Sequence, residues 1–294
     1  MKIVANRKIW FSISGAMVVL SLVLLASLGL KLNIDFTGGS LLEVEYVGER
    51  ATIEDIRATV EGAGFENGSV QPSDEHGLIV RQPTLSEAQH QELLTALGTL
   101  GELDEMRFDS IGPVIGQELQ RKSFLALGLI FLAIILYVAW AFRKVNRFIK
   151  SWKYGVLTIV AAIHDIIIPL GVFAVLGHYT GATVGTAFVA ALLTILGYSV
   201  NDSIVVFDRV RENLIEDGDG NFEKTVDDSI NQTIARSINT TITTLLALVA
   251  IYLFGGETTK EFVLVLIIGI GVGAYSSVFL ASPLLVTWQK WANR

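Results

Sequence analysis

Residues 182–207 decide the fold, because they read ATVGTAFVAALLTILGYSVNDSIVVF and contain a single side chain that is charged at neutral pH, Asp202. A helix needs about 20 mostly apolar residues to cross the hydrocarbon core of a bilayer. Inside lipid every backbone polar group must be satisfied within the protein, and a helix does this alone. The stretch therefore predicts a transmembrane helix that carries a carboxylate.

Five other apolar runs reach the same length: Trp10–Leu30, Ser123–Phe142, Tyr154–Gly177, Ile238–Gly256 and Phe262–Trp288. The first is longer than the apolar core of about 7–15 residues in a cleavable signal peptide, so we expect it to be a retained span. The composition agrees with a membrane protein, since 17% of the 294 residues are charged, against about 25% in soluble domains. We predict an α-helical polytopic membrane protein with six spans.

The distribution of Lys and Arg predicts the orientation, because cytoplasmic loops are enriched in these residues. Basic residues cluster at the chain ends and in two loops: Lys2, Arg7, Lys8, Arg143, Lys144, Arg147, Lys150, Lys153, Arg209, Arg211, Lys290 and Arg294. The opposite short loops hold only Lys260. Both termini are therefore expected in the cytoplasm. The predicted organisation is a tail and first span (1–30), a periplasmic domain (31–122), a five-helix bundle (123–288) and a cytoplasmic tail (289–294).

The periplasmic domain is acidic, with 17 Asp or Glu against 4 Arg and no Lys between Asn33 and Leu119. Its pattern predicts strands at 41–47, 69–71, 77–81 and 102–110, and helices beginning at Thr52 and Ser86. This β-α-β-β-α-β order predicts a ferredoxin-like α+β fold. His76 and His90 are interpreted as solvated surface residues. The chain has no cysteine, and the net charge of −7 gives no support for nucleic-acid binding. Nothing in the domain predicts catalysis, a metal site or a cofactor.

Ionisable residues inside spans are functional candidates, because each costs at least about 2.5–3.5 kcal/mol at the helix centre. The candidates are His164 and Asp165 in the third span, Asn201 and Asp202 in the fourth, and Arg236 at the start of the fifth, followed by Asn239 and Thr240. The fourth and fifth spans are antiparallel neighbours, so Asp202 and Arg236 are expected to meet. Alternation between paired and unpaired states would let Asp202 bind and release a proton. The alternative is a static buried salt bridge.

Two further features leave alternatives open. His164 is interpreted either as a proton relay or as a hydrogen-bonding anchor between helices. Gly269, Gly273, Ser277 and Ala281 recur every four residues in the sixth span and predict a small-residue face for close helix packing. Gly181 and Gly185 repeat this spacing at the start of the fourth span, and packing is expected there too.

Several of these stretches together resemble the SecF branch of the SecD/SecF family of protein-export membrane proteins. The first is Asp35-Phe36-Thr37-Gly38-Gly39 directly after the first span, and the second is His164-Asp165. The most specific is GYSVNDSIVVFDRVRE at 197–212, and the last is RSINTT at 236–241. The resemblance covers nearly the whole chain, and no departure from the family pattern occurs at these positions.

The resemblance implies a bacterial inner-membrane protein of the RND superfamily that pairs obligatorily with SecD. It implies that the pair assists SecYEG on the periplasmic side, associates with YajC, and uses the proton-motive force to promote export of preproteins. It further implies that Asp202 and Arg236 take part in proton movement. His164, Asp165, Asn201, Asn239 and Thr240 are candidates for relay or support. Protons are the coupling ion, no other cofactor is expected, and the chain is not expected to be an enzyme.

Other readings keep a membrane protein but change its task. An RND-type efflux or lipid transporter would have 12 spans or form a self-sufficient homo-oligomer with larger outer domains. A scaffold subunit would use its intramembrane charges only to fix partner helices, and Asp202→Asn would then cost little activity. An intramembrane protease is disfavoured because the sequence has no Gly-x-Gly-Asp element.

Overall fold

The computed structural model describes residues 2–73, 75–143, 150–217 and 221–292. Its elements, in chain order, are α1 (Arg7–Leu28), α2 (Ile34–Thr37), β1 (Gly39–Tyr46), α3 (Ile53–Gly62), β2 (Ser69–Pro72), β3 (Gly77–Gln82), α4 (Glu87–Gly98), β4 (Leu103–Ile111), α5 (Pro113–Ala141), α6 (Ser151–Tyr179), α7 (Thr186–Asp217), α8 (Phe222–Phe254), α9 (Glu257–Ser276), a π-helical segment (Ser277–Ala281) and α10 (Ser282–Ala292). Lys144, Arg147 and Arg294, from the predicted basic loop and tail, lie outside the described residues.

The chain divides into two units, described separately below. The helical unit contains the residues up to Leu30, Leu125–Ala182 and Ala187 onward. The sheet unit contains Lys31–Phe124 together with Thr183–Thr186.

Within the described residues, six helical stretches are long and apolar enough to cross a membrane, by length and composition. They are α1, α5, α6, α7, α8 and the stretch formed by α9, the π-helical segment and α10. The prediction of six spans is confirmed. The apolar runs correspond to these six stretches one for one.

Helix α8 begins much earlier than predicted, at Phe222 instead of Ile238. The added turns are polar, and hydropathy alone does not detect them. Asn221 caps the helix by accepting from the backbone N–H groups of Glu223 and Lys224, at 3.1 and 3.3 Å. Such a cap satisfies donors that the first turn leaves free. The early start places Arg236 in the middle of α8 and not at its entrance.

Helix α5 likewise begins at Pro113 instead of Ser123. Proline suits the first turn of a helix, because its missing N–H would have no partner there and its φ is already helical. Residues 113–122, which the sequence assigned to the end of the periplasmic domain, are therefore helical.

Helices α6, α7 and α9 form the buried centre of the helical unit. In each of these spans 56% of the apolar stretch is buried, against 11% in α1 and α5 and 17% in α8. The small-residue face of α9 packs on α7, since a Cβ added to Gly269 would lie 2.2 Å from Cδ1 of Ile195. A Cβ added to Gly273 would lie 3.1 Å from Cβ of Ser199. The predicted use of these glycines in packing is confirmed.

The sheet unit contains one four-stranded antiparallel sheet in the order β2-β3-β1-β4. Helices α3 and α4 follow β1 and β3 in the chain, as a ferredoxin-like fold requires. The predicted helix starts are confirmed. Thr52 accepts a hydrogen bond from the backbone N–H of Asp55, and Ser86 and Gln89 form a capping box. Apolar residues from the sheet and both helices share one core, including Leu42, Val44, Leu78, Val80, Ile56, Val60, Leu93 and Leu97.

The interpretation of His90 as a solvated residue is wrong. Its side chain is buried, and its ring stacks on Phe108 with centroids 3.7 Å apart. The two ring nitrogens lie 3.4 Å from Glu87 and 3.3 Å from Glu105. His90 shares a face of α4 with the core residues Leu93 and Leu97, three and seven positions on, and this helical spacing was a signal for burial.

Candidate functional site

The motif Asp35–Gly39 forms a tight corner of the sheet unit between α2 and β1. One carboxylate oxygen of Asp35, Oδ2, accepts hydrogen bonds from the backbone N–H and the hydroxyl of Thr186, at 2.8 and 2.6 Å. Thr186 is the first residue of α7, so the aspartate caps that helix. Gly185 was expected to pack helices, but it instead makes room for this contact. A Cβ at Gly185 would lie 2.6 Å from Oδ2.

The two glycines of the motif are explained by their backbone. Gly38 and Gly39 have φ angles of +73° and +131°, which residues with a side chain rarely adopt. A Cβ at Gly38 would lie 2.8 Å from Cα of Pro113, and one at Gly39 would lie 2.7 Å from the carbonyl oxygen of Gln82. Of the remaining motif residues, Phe36 is buried, while the Thr37 hydroxyl donates to the Asn33 carbonyl at 3.1 Å. The motif shapes this corner, and its contacts suit a structural role.

Asp202 lies on α7 inside the helical unit, and only 6% of its surface is exposed. Its Oδ1 accepts a hydrogen bond of 2.5 Å from the hydroxyl of Ser237 on α8. No described residue donates a hydrogen bond of good geometry to Oδ2, and the hydroxyl of Ser277, in the π-helical segment, is the other polar group that faces the carboxylate. The hydroxyl of Thr241, one turn after Ser237, is also buried and has no partner in the described part of the chain. Asp202 therefore has one oxygen held and one oxygen open.

Asp165 is a second buried carboxylate, and it has no exposed surface. Its Oδ2 accepts hydrogen bonds from Ser199 on α7 at 2.5 Å and from Ser276 on α9 at 2.7 Å. Its Oδ1 lies 2.8 Å from Nδ1 of His164, its neighbour on α6. The carboxylate thus joins the three most buried spans, with both of its oxygens occupied.

Ser277, the first residue of the π-helical segment, continues this polar cluster. Its hydroxyl lies 3.0 Å from that of Ser203, the residue after Asp202, and 3.3 Å from the carbonyl oxygen of Ser199. The same hydroxyl lies 2.9 Å from the carbonyl of Gly273. Short π-helical segments inside α-helices occur frequently at functional sites. Here the hydroxyl of the segment contacts two successive turns of α7, one at Ser199, which donates to Asp165, and one at Ser203, which follows Asp202.

The predicted contact between Asp202 and Arg236 is not present in this structure. Ser237 contacts the carboxylate, and Arg236 is exposed on α8. Successive residues of a helix point about 100° apart, so the turn that brings Ser237 to α7 directs Arg236 elsewhere. Asn201, Asn239 and Thr240 are also exposed. The structure therefore places His164 in contact with Asp165, and it leaves Asn201, Asn239 and Thr240 exposed.

His164 is buried, with 4% of its surface exposed. Its Nε2 has no hydrogen-bonding partner among the described residues, and its ring lies 6.2 Å from that of Tyr275. The imidazole also lines a groove of about 470 Å³ between α1, α6 and α10, together with apolar residues such as Val160, Ile163 and Leu284. The contact between Nδ1 and Asp165 orients the ring.

Three serines that donate to the two carboxylates were not among the predicted site residues: Ser199 and Ser276, which donate to Asp165, and Ser237, which donates to Asp202. A usable signal existed, because buried polar groups need partners and small hydroxyl residues supply them without much volume. The described residues contain no group of three or more His, Asp or Glu side chains arranged to hold a metal ion.

Comparison with known families gives two matches. Residues 90–291 match the family described as protein export membrane protein SecD/SecF, C-terminal. Residues 23–47 match the family described as the SecD/SecF GG motif, which includes the Asp35–Gly39 corner.

Curated relatives match over nearly their whole length. The chain is 38% identical to protein translocase subunit SecF of Thermobaculum terrenum, over 98% of this chain and 94% of that one. It is 38% identical to the SecF subunit of Anaerolinea thermophila, over 100% of this chain and 96% of the relative. The identity is 40% with the SecF subunit of Synechocystis, over 89% of this chain and 84% of the relative.

Two solved structures have a similar fold. The crystal structure of SecDF, a translocon-associated membrane protein from Thermus thermophilus, superposes with a TM-score of 0.87 and 32% identity, covering 98% of this chain. This chain spans 38% of the length of that SecDF chain. SecDF in its super-membrane-facing form gives a TM-score of 0.71 at 31% identity, covering 100% of this chain and 39% of the other.

Proposed function

This chain belongs to the SecF family of protein translocase subunits, and on that premise we propose that, with SecD, it uses the proton-motive force to promote preprotein export. It is a multi-pass membrane protein. The observation that carries the proposal is Asp202, a buried carboxylate with one oxygen held by Ser237 and the other oxygen open.

The open Oδ2 of Asp202 suits reversible proton binding. A carboxylate whose hydrogen-bonding sites were all filled would have to lose a contact when it takes up a proton. Asp202 keeps its contact with Ser237 at Oδ1 and has Oδ2 free to accept the proton. Arg236 on α8 lies one residue from Ser237, so a rotation of α8 by about 100° would exchange the serine for the guanidinium. A cycle between these two arrangements would couple proton release to helix movement.

A polar stripe on α8 supports SecD as the partner. Arg236, Asn239, Thr240 and Thr243 are exposed and follow one another at helical spacing. By contrast, the exposed residues of α5 from Phe124 onward are apolar, such as Leu129, Leu132 and Leu136, whereas on α8 the polar stripe lies beside exposed Ile238 and Ile242. Apolar side chains suit lipid, whereas polar groups inside a membrane need protein or water around them. We therefore place SecD against α8. Contacts with SecYEG, YajC and the preprotein remain predictions from the family resemblance.

The proposed location is the bacterial inner membrane, with both termini in the cytoplasm and the sheet unit in the periplasm. The support is the distribution of Lys and Arg, which favours basic loops on the cytoplasmic side. Protons are the proposed coupling ion, and no further cofactor and no enzymatic activity are proposed.

The efflux reading is disfavoured by the match of the whole chain to SecF subunits of similar length. The scaffold hypothesis also assigns the chain to the SecF family. It differs only in proposing that the buried charges fix partner helices and do not carry protons. The test below separates it from proton coupling.

Pulse-chase measurement of preprotein maturation tests the proposal in cells depleted of their own SecF. We expect wild type to restore maturation and Asp202→Asn to leave it at the depleted rate, because an amide cannot exchange the proton. Asp208→Asn is the matched control on the same helix. Its carboxylate is about half exposed and pairs with Arg211 at 2.7 Å, so maturation should stay near the wild-type rate.

Membrane level and co-purification with SecD are measured for each variant, so that a loss of protein is not read as a loss of function. If Asp202→Asn exports like wild type, the carboxylate only packs helices and the scaffold hypothesis holds. If wild type itself fails to restore maturation while it accumulates with SecD, the proposed function is wrong.

A further inference from the structure

We propose that Asp165 is a positioning residue for Asp202: it holds Ser199 and Ser276 so that α7 and the π-helical segment keep the surroundings of Asp202 in one arrangement. This inference rests on the proposed function, since it concerns the same proton site. It assigns Asp165 no proton transfer of its own.

The first support is the number and origin of the contacts to Asp165. Three polar groups contact its carboxylate: the imidazole of His164 on α6 and the donating hydroxyls of Ser199 on α7 and Ser276 on α9. A carboxylate has about four lone-pair sites, so most of its capacity is filled. Asp202 accepts one hydrogen bond, from the hydroxyl of Ser237. Asp165 therefore suits a fixed contact between helices, and Asp202 suits the exchange of a proton.

The second support is the short path from one carboxylate to the other. Ser199 and Asp202 are three residues apart on α7, so they lie on neighbouring turns of one helix. Ser276, held by Asp165, directly precedes Ser277, whose hydroxyl contacts Ser203 beside Asp202. If the hydrogen bonds to Asp165 were lost, Ser199 on α7 and Ser276 before the π-helical segment would both lose the contact that holds them.

The third support is the tight packing around Asp165. Gly273 leaves so little space that an added Cβ would lie 3.1 Å from Cβ of Ser199 and 3.6 Å from Oδ2 of Asp165. Ser199, Ser276 and Ser277 are almost completely buried. Closely packed groups transmit a displacement to their neighbours, so a change at Asp165 should reach Asp202.

The titratable groups around the cluster are few among the described residues. They are His164 on α6, Tyr198 and Asp202 on α7, Tyr275 on α9, and Arg236, which precedes Ser237 on α8. Helix α8 contributes the hydroxyls of Ser237 and Thr241 on this side, and α1 contributes Ser14, which donates to Tyr275 at 3.2 Å. A titration assigned to Asp202 can therefore be separated from that of its neighbours by substitution.

The experiment uses the complete complex with SecD in membranes. The infrared carbonyl band of protonated carboxyl groups is followed as the pH changes, and the part that disappears in Asp202→Asn belongs to Asp202. Asp165→Asn and Ser276→Ala are compared with Ser229→Ala, a buried serine whose hydroxyl donates to the Thr225 carbonyl at 2.6 Å and accepts from Asn213 at 2.8 Å. Co-purification with SecD checks that each variant is assembled.

We expect Asp165→Asn and Ser276→Ala to move the midpoint of the Asp202 band by more than about half a pH unit, and Ser229→Ala to leave it in place. Export should slow in the first two variants and persist in the third. Ser276→Ala removes one hydroxyl, so it keeps the test available if Asp165→Asn fails to assemble.

Two results would overturn the inference. One is an unmoved Asp202 midpoint in the assembled variants. The other is a second titrating band that is present in wild type and absent in Asp165→Asn, which would make Asp165 a proton carrier. If no band is lost in Asp202→Asn and that variant exports normally, the proposed function itself fails, and the two failures are thereby distinguished.

Discussion

At the scale of single residues, the two buried aspartates differ in their hydrogen bonding although both are almost completely buried. Asp165 has polar partners at both oxygens, and Asp202 accepts a hydrogen bond at one. Three serines contribute to this difference, Ser199 and Ser276 at Asp165 and Ser237 at Asp202, and their positions follow from helix phase. Ser237 and Arg236 are adjacent on α8, yet Ser237 contacts Asp202 and Arg236 is exposed.

The Asp35–Gly39 corner gives a prediction at this scale. Gly39→Ala should destabilise the protein, because the residue has φ +131° and its new Cβ would lie 2.7 Å from the Gln82 carbonyl oxygen. The backbone conformation alone should cost on the order of 1–3 kcal/mol. Thermal unfolding of the purified chain measures this as a lower Tm.

Gly48→Ala is the matched control, because nothing lies within 4 Å of the position where its Cβ would be built. Its Tm should stay close to that of wild type. Equal Tm values for Gly39→Ala and wild type would show that the corner adapts and that the glycine is not needed there.

The sequence was sufficient to identify the residues of the candidate site but not their contacts. Asp202, Asp165 and His164 stand out because ionisable groups inside spans are costly. The pairing of Asp202 with Arg236 could not be settled in the same way, because it depends on the rotation of α8 about its axis. That rotation is set by packing against α7 and α9, which no local pattern in α8 encodes.

At the scale of elements, the apolar runs predicted the six spans, and their ends were less well predicted. The errors at α5 and α8 share a cause, since each helix continues into polar sequence where caps and backbone hydrogen bonds replace apolar burial. In α8, Ser229 and Thr233 donate to carbonyls one turn earlier, at 2.6 and 2.9 Å. Hydropathy finds the part of a helix that suits lipid and not the part that water can solvate.

The small-residue face of α9 provides the prediction for this scale. Gly269→Ala should weaken packing on α7, because the added Cβ would lie 2.2 Å from Cδ1 and 2.6 Å from Cγ1 of Ile195. Overpacking of this kind typically costs about 1–3 kcal/mol. We expect a lower Tm of the purified complex with SecD.

Gly271→Ala, two residues further on the same helix, has nothing within 4 Å of its added Cβ. It should leave Tm unchanged or raise it slightly, because alanine restricts the unfolded chain. If both substitutions lowered Tm equally, close approach of α7 and α9 would not explain the glycines.

At the scale of the whole molecule, the sequence predicted the two kinds of structure and their order, including a four-stranded sheet with one helix between β1 and β2 and one between β3 and β4. It did not predict which spans form the centre. The six apolar runs are similar in hydropathy, whereas α6, α7 and α9 are much more buried than α1, α5 and α8. Burial of a span depends on neighbours that are distant in the chain.

The absence of cysteine from the chain allows a direct test of orientation in the membrane. Single cysteines at Glu92, on α4, and at Glu216, near the end of α7, are introduced at exposed positions. A membrane-impermeant maleimide should label Glu92→Cys in spheroplasts and should label Glu216→Cys only after the membrane is permeabilised. The reverse pattern would mean that the proposed topology is inverted, and labelling of both without permeabilisation would place the two positions on one side.

The contact between Asp35 and Thr186 also has a consequence for the order of events during synthesis. Most of the sheet unit is complete once Phe124 has been made, but its last four residues, Thr183–Thr186, come roughly 60 residues later. A bacterial ribosome adds about 5–20 residues per second, so the gap lasts about 3 to 12 seconds. During that interval Asp35 has no hydroxyl or backbone N–H from Thr186 to accept from. The nascent chain must therefore wait for two more spans to emerge before this corner can close.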